Sequence, residues 1–230
     1  MQKSFALSIA ALLTACSGSG NSGLSLSARA GAVSTAASSA PASTGISVSR
    51  IRVALREIEL RTADDQKRAE IEVGPVLVDL GAADLTGATV RKVLDASVPA
   101  GTYQKLEFKI HPLASANGNA AAADLVSAGA SILIDGTFNG APFHFPSSLE
   151  AEQEIEGSFV IDAQSQNITL NFDPSGWFLA ADGVTVLDPT SAEDHAAIEA
   201  NIARSLAAFE DDNGSGHENH HGHDDGGDHR

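Results

Sequence analysis

The densest set of potential metal ligands in the sequence lies in its last fourteen residues. Imidazole nitrogens bind Zn²⁺, Cu²⁺ and Ni²⁺, and neighbouring carboxylates add negative charge and oxygen ligands. The spacings of His217 to His221 and of His220 to His223 allow two rings to reach one ion in a turn-like backbone. We therefore predict a divalent-metal-binding tail over residues 213–230. Its candidate ligands are His217, His220, His221, His223, Asp224, Asp225, Asp228 and His229.

The composition of this tail predicts disorder, because it contains almost no apolar residue to bury. Ordering it around an ion costs entropy, so we expect moderate, promiscuous affinity that falls below about pH 6 as the imidazoles protonate. Two alternatives remain open. One is a solvated acidic tail without a metal role. The other is a calcium loop starting at Asp211, whose twelfth position is Gly222 instead of an acid.

The first residues have the pattern of a targeting segment. One positive charge at Lys3 precedes a short apolar run, Phe5 to Leu13, which is too short to span a bilayer. The following Leu13-Thr14-Ala15-Cys16 resembles the lipobox of bacterial lipoproteins. That resemblance implies that residues 1–15 are a signal peptide and that Cys16 carries lipid. It further implies a cell-envelope location, and Ser17 after the cysteine favours the outer membrane.

The overall composition excludes several classes of protein. The formal net charge of -16 argues against nucleic-acid binding, which needs clustered Lys and Arg. The single cysteine excludes an intramolecular disulfide and cysteine-rich metal sites. Residues 16–45 are rich in Ser, Gly and Ala, which predicts a flexible tether between the lipid and a folded domain.

The sequence from Ile46 onward alternates with a period of two, which predicts β-strands. The long first strand changes phase near Arg56, as a β-bulge would cause, and Asn139-Gly140 predicts a type I′ hairpin. No helical period of useful length interrupts the strands, apart from a short pattern near Ala120 to Val126. About nine short strands with turn signals predict an antiparallel β-sandwich of immunoglobulin or transthyretin type over residues 46–188.

One amphipathic helix is predicted after the sandwich, within residues 189–212. Thr190 and Glu193 match a capping box. The apolar residues that follow fall on one face, which we expect to pack on the sandwich. They are Ile198, Ile202, Leu206 and Phe209.

Several features together resemble an uncharacterised family of bacterial lipoproteins, classed as a domain of unknown function. They are the lipobox, the long first strand Ile46–Leu60, the Val78-Asp79-Leu80 element and the Pro99-Ala100-Gly101-Thr102-Tyr103 step. The likeness covers about residues 46–172 and brings no known activity with it. Physically, Pro99 and Gly101 favour a turn that a buried Tyr103 ring and its hydroxyl can anchor.

No nucleophile motif accompanies the histidines of the sandwich, His111 and His144. The glutamate row of Leu149–Gly157 is typical of a solvated sheet face. We therefore predict a lipid-anchored envelope protein with a non-enzymatic binding or structural role and a metal-binding tail. The alternative is an adhesion or interaction module that binds protein or glycan, with the tail incidental.

Overall fold

Eleven strands in two packed sheets contain more than half of the residues that the computed structural model describes. Those residues are 21–31, 45–62, 68–71, 75–86, 89–162, 166–211 and 215–216. The strands are β1 (Asn21–Ala30), β2 (Ile46–Arg61), β3 (Arg68–Ile71), β4 (Val76–Gly81), β5 (Arg91–Pro99), β6 (Gly101–Ile110), β7 (Ile132–Phe138), β8 (Ala141–Ser147), β9 (Ala151–Ile161), β10 (Gln166–Phe172) and β11 (Leu206–Glu210). The helices are α1 (Ala120–Ala128) and α2 (His195–Arg204).

Four strands form the smaller sheet, sheet A, in the order β11-β10-β1-β5. Its central pair, β1 and β10, is parallel, while β1–β5 and β10–β11 are antiparallel. The predicted β-sandwich is confirmed, but the prediction of purely antiparallel pairing is wrong at this pair. A parallel pair needs a long crossover connection, and β1 and β10 stand at opposite ends of the domain's sequence.

The larger sheet, sheet B, is organised around the 16-residue strand β2. Leu55 pairs with Val76 of β4 on one edge and with Ile110 of β6 on the other. Nearer its start, β2 pairs with β7 on the edge that β6 occupies later. The exchange happens at Ala54, which donates to the Ser131 carbonyl (2.8 Å) and accepts from the His111 amide (3.4 Å).

Helix α1 lies in the connection between β6 and β7, beside this exchange point. Asn119 caps its first turn by accepting from the amides of Ala121 (2.9 Å) and Ala122 (3.3 Å). Leu125 packs against Ala54 and Leu133 on the outer side of sheet B. The short helical pattern near Ala120 is therefore a helix, in addition to the predicted C-terminal one.

The main core lies between the two sheets. Alternate residues of sheet A, including Leu26 and Phe172, meet alternate residues of sheet B, including Ile51 and Phe108. Trp177, which is fully buried, closes one end of the same cluster. Because side chains alternate across a strand, the residues between these core positions form an outer face on each sheet.

Three local predictions are confirmed. The register of β2 against β6 shifts between Arg56 and Glu59, as at a bulge, and Glu57 within the shift has φ of 51°. Asn139 and Gly140 have φ of 51° and 83°, which fits the type I′ turn. Tyr103 is buried, and its hydroxyl donates to the Pro99 carbonyl at 2.7 Å.

The predicted tether over residues 16–45 is wrong for Asn21–Ala30, which form β1 in the centre of sheet A. Leu24, Leu26, Ala28 and Ala30 point into the core and are at most 2% exposed. Ala28 and Ala30 hide the alternation in the sequence because their side chains are small. The sandwich also extends beyond residue 188, since β11 is one of its strands.

The predicted C-terminal helix is shorter than its apolar pattern. Ile198 and Ile202 are buried as expected, but Leu206–Glu210 pair with β10 as a strand. The capping box does not form, because Thr190 donates its hydroxyl to Asp188 (2.6 Å). Helix α2 begins after Asp194, whose carboxylate accepts from the Asp188 amide instead (2.8 Å).

Candidate functional site

The residues predicted to carry the chemistry lie outside the described part of the chain. This holds for Cys16 and for every predicted metal ligand between His217 and His229. Within the described ranges, no three His, Cys, Asp or Glu side chains are grouped so that they could hold a metal ion. The structure does describe the point from which the tail starts, at Ser215 and Gly216.

The base of the tail is held on the outer face of sheet A by one buried carboxylate. Asp211 accepts from the amides of Ser215 (2.8 Å) and Gly216 (2.7 Å) and from the hydroxyl of Thr169 (3.2 Å). The buried Arg29 guanidinium donates to the Gly216 carbonyl. Gly216 has φ of 78°, and a Cβ there would approach Arg29 to 3.1 Å, so glycine suits this position.

The same contacts involve the first residue of the predicted calcium loop, Asp211. The Asp211 carboxylate serves the backbone of its own turn, with one oxygen on Ser215 and the other on Gly216 and Thr169. A carboxylate that accepts from several fixed donors needs no cation to be satisfied. Asp211 therefore closes a turn that fixes the start of the tail, and the rest of the predicted calcium loop lies outside the described residues.

A hydrogen-bonded row of small polar side chains continues from Asp211 across sheet A. Ser27 donates to Asn167 (2.7 Å), and Asn167 donates to Thr169 (3.0 Å) and to the Asp211 carbonyl (3.1 Å). We call Ser27, Arg29, Asn167, Thr169, Asn171 and Asp211 the polar face. Most of these side chains are buried, although they point away from the core. Sequence reasoning missed this surface because it assigned β1 to a tether.

The outer face of sheet B carries a second polar cluster, beside α1. Arg52 is 2% exposed and donates to both Asp124 of α1 and Asp135 of β7. Asp135 also contacts His144 Nδ1 at 2.6 Å. Together with Arg50 these residues line a shallow pocket of about 520 Å³.

His144 and His195 have structural partners. His144 alternates outward on β8 as predicted, and His195 Nε2 lies 2.9 Å from the Pro146 carbonyl. Ser127 lines the same pocket as His144 and Asp135, but no hydrogen bond joins Ser127 to His144 in the described structure. Ser127, His144 and Asp135 therefore line one pocket, but the serine hydroxyl is not bonded to the histidine as a nucleophile is to its base.

The glutamate row occupies the outer edge of sheet B, as expected of a solvated face. Glu152 and Glu154 are exposed, and Glu154 pairs with Lys105 at 3.1 Å. Its neighbour Glu107 is buried and contacts Arg61 at 2.5 Å. Burial raises the pKa of Glu107, and Arg61 only partly opposes this.

Fold and surface together define a mainly β, two-sheet sandwich with Ser215 and Gly216 bonded to one outer face. The chain belongs to the family described as domain of unknown function DUF4382, which matches residues 30–189. No curated protein matches the chain. Neither described helix is long and apolar enough to cross a bilayer.

One solved structure is similar in part. MbnP from Methylosinus trichosporium aligns with 66% of this chain and 75% of its own, with 14% identity and a TM-score of 0.35. A likeness at that level carries no argument about function. The functional argument therefore depends on this chain's own residues.

Proposed function

We propose that the chain is a non-catalytic binding protein of the cell envelope, anchored through lipid on Cys16, whose tail binds divalent transition metal. The observation that carries the metal proposal is the fixed base of the tail. Gly216 is buried and bonded to Arg29 and Asp211, and His217 is the next residue. A ligand set that starts from a fixed residue loses less entropy on binding than one on a free chain.

The metals proposed are Zn²⁺, Cu²⁺ and Ni²⁺, because imidazole is a good ligand for all three. The five tail histidines and the nearby carboxylates exceed the four ligands of a usual zinc site, so several arrangements compete. That favours a buffering or capture role with moderate affinity over a single rigid centre.

Calorimetric titration of Cu²⁺, Zn²⁺ and Ni²⁺ into the full chain tests this proposal. We expect about micromolar or tighter binding at pH 7.5, lost when the five tail histidines are changed to Asn. The matched control changes His111, His144 and His195 to Asn and should bind as the parent does. Equal binding by the tail variant and the parent would refute a metal role for the tail.

The test should keep Ser215 and Gly216. Removing them would strip three hydrogen bonds from the buried Asp211 carboxylate and perturb the sandwich. Substitution of the histidines, or truncation after Gly216, leaves that carboxylate satisfied. A loss of metal binding then reports on the tail alone.

The lipid anchor is supported by Leu13-Thr14-Ala15-Cys16, and the position of β1 limits how far the lipid would lie from the sandwich. Because β1 begins at Asn21, five peptide units separate it from Cys16, a reach of at most about 18 Å. A lipid on Cys16 would thus hold the sandwich close to an outer-membrane surface instead of on a long tether.

Labelling with radioactive palmitate in a Gram-negative host tests the anchor. We expect the parent and Ser17→Ala to incorporate the label and to need detergent for release from membranes. Cys16→Ser should incorporate none. Label retained in Cys16→Ser would contradict lipidation at this residue.

A second candidate is an interaction module that binds protein or glycan, and the pocket beside α1 favours it. Arg50, Arg52, Asp135 and His144 offer charged and hydrogen-bonding groups at one surface. An apolar docking patch is not favoured, since Val184 is the exposed large apolar side chain found among the described residues. Substitution of His144 should weaken partner binding on this alternative and leave metal binding unchanged.

A further inference from the structure

A second polar pocket lies where β10 ends, far along the chain from the pocket beside α1. It has a volume of about 380 Å³, within the range usual for small-molecule sites. Its walls come from the end of β10, the short 3-10 turn Pro174–Gly176 and the last turn of α2. The lining residues used below are Asn171, Asp173, Trp177, Asn201, Arg204 and Ser205.

Asn171 is the member of the polar face that contributes to this pocket. Its side chain is 1% exposed, and neither its amide nitrogen nor its amide oxygen has a hydrogen-bond partner in the structure described. Leaving a buried polar group without a partner costs about 1–3 kcal/mol, so such groups are rare and call for an explanation. The amide of this lining residue carries one acceptor and two donors that the protein does not use.

Two opposite charges line the same pocket without neutralising each other. Asp173 uses one carboxylate oxygen to accept from the Ser175 amide (3.0 Å). Arg204 donates to the Asn201 side-chain oxygen (2.5 Å). Neither residue forms an ion pair with any residue that the structure describes, so both charges remain available to a ligand.

Three other side chains of the pocket, those of Asn201, Trp177 and Ser205, already form hydrogen bonds within the protein. The Asn201 amide nitrogen donates to the carbonyls of Trp177 (3.0 Å) and Leu179 (2.8 Å). The Trp177 indole donates to Ser205 (2.6 Å), whose hydroxyl donates to the Ile202 carbonyl (2.7 Å). These bonds fix the walls and leave Asn171, Asp173 and Arg204 with capacity to bind a ligand.

We propose that this pocket binds a small zwitterion of the α-amino-acid class. The ligand's carboxylate pairs with the Arg204 guanidinium and its ammonium group with the Asp173 carboxylate. The Asn171 amide gains the hydrogen bonds that the protein does not supply. A ligand with only one charge would leave the other side chain and part of the amide without a partner.

Calorimetry on the full chain with L-alanine, in the presence of a chelator, tests this proposal without a contribution from tail-bound metal. We expect a Kd of about 1 mM or tighter, with acetate and ethylamine at least about tenfold weaker, because each carries one charge. Equal affinity for acetate would show a simple anion site and overturn the proposal. So would the absence of binding at ligand concentrations on the order of 10 mM.

Variants separate the three contributions. Arg204→Gln and Asp173→Asn should each weaken L-alanine binding about tenfold or more, because each removes one charge-assisted contact. The control Lys109→Gln, on sheet B, should bind as the parent does. Undiminished binding in Arg204→Gln would overturn the proposal, and because Arg204 is exposed this variant is expected to fold.

Asn171→Leu gives a readout that a purely structural role would not produce. Replacing an unpartnered buried amide with an apolar side chain of similar size should raise the Tm of the ligand-free protein while abolishing L-alanine binding. A lower Tm with unchanged binding would assign the amide to the fold and contradict the proposal.

Discussion

The two outer faces of the sandwich differ in how their polar side chains are satisfied. On sheet B, opposite charges form ion pairs. Arg52 lies between Asp124 and Asp135, and Arg50 pairs with Asp79. On sheet A, mostly uncharged Ser, Thr and Asn side chains form a hydrogen-bonded row that ends at the buried Asp211. Water reaches much of the first face and little of the second.

The strands of the two sheets come from different parts of the sequence, and this accompanies the difference between the two faces. All seven strands of sheet B lie inside the family match of residues 30–189, whereas β11 and nearly all of β1 in sheet A lie outside it. Sheet A contains the first and the last described strands, β1 and β11. Ser215 and Gly216 cover part of its outer face. Side chains covered in this way need fixed hydrogen bonds, while an exposed face tolerates ion pairs that water also solvates.

Of the substitutions that test this contrast, Asp211→Ala should lower the free energy of unfolding the most. It leaves the amides of Ser215 and Gly216 and the Thr169 hydroxyl without their acceptor in a buried place. We expect the free energy of unfolding to fall by about 3–4 kcal/mol, measured by urea denaturation of the full chain. Asp173→Ala is the control, because its carboxylate is only partly buried and accepts one bond from Ser175. A loss below about 1 kcal/mol would show that the polar face does not depend on Asp211.

The sequence predicts sheet B better than sheet A for a physical reason. Large apolar residues alternate with charged ones in β2, β6 and β9, so the period of two is visible. In β1 the outward residues are Ser25 and Ser27 and the inward ones include Ala28 and Ala30, so polarity and size hardly alternate. Composition then suggests a linker, although a strand between two neighbours needs only small side chains that fit closely.

Arg52→Met should have the next largest effect. The change leaves Asp124 and Asp135 facing each other without the cation that both contact. We expect a loss of about 2 kcal/mol, less than for a wholly buried pair, because Asp124 is half exposed. Arg56→Met, on the same strand, should cost less than about 0.5 kcal/mol.

The triple variant Arg52→Met, Asp124→Ala, Asp135→Val separates two causes of the instability of Arg52→Met. One is the loss of the ion pairs, and the other is the cost of leaving two carboxylates without a cation. The triple variant removes the cation and both carboxylates, so it should recover more than half of the stability lost in Arg52→Met. A triple variant as unstable as the single one would mean that the arginine stem packs on α1 and that its charge contributes little.

The candidate sites were predictable to different degrees. The tail histidines are visible as a composition, and the structure adds only the fixed base at Gly216. The pocket at Asn171 was not predictable, because its lining comes from residues some thirty positions apart, from Asn171 to Ser205. The feature that points to this pocket is the Asn171 amide without a hydrogen-bond partner. It can be recognised only from the folded structure.

Glu107→Gln should stabilise the protein, and only above acidic pH. Burial raises the pKa of Glu107 above its usual 4.5, so the folded state holds the proton more tightly than the unfolded state does. Stability therefore falls as the pH rises from about 4.5 through the raised pKa, and the glutamine variant escapes this loss. We expect a Tm about 1–3 °C higher than the parent at pH 7.5 and an equal Tm at pH 4. A lower Tm at pH 7.5 would mean that the contact with Arg61 outweighs the cost of burial.

Asp79→Asn should have the smallest effect, and its pH dependence has the opposite sign. The Arg50 guanidinium donates to both carboxylate oxygens, at 2.8 and 2.9 Å, and lowers the pKa of Asp79 below its usual 3.8. The contribution of this pair is thus complete above about pH 4 and is lost as the pH falls through the lowered pKa. Because both side chains are about one-third exposed, we expect a loss of about 0.5 kcal/mol at pH 7, smaller still in 1 M salt. Salt should leave the effect of Asp211→Ala nearly unchanged, since Asp211 is fully buried. Equal salt sensitivity in the two variants would mean that water reaches both faces alike, and the contrast between them would fail.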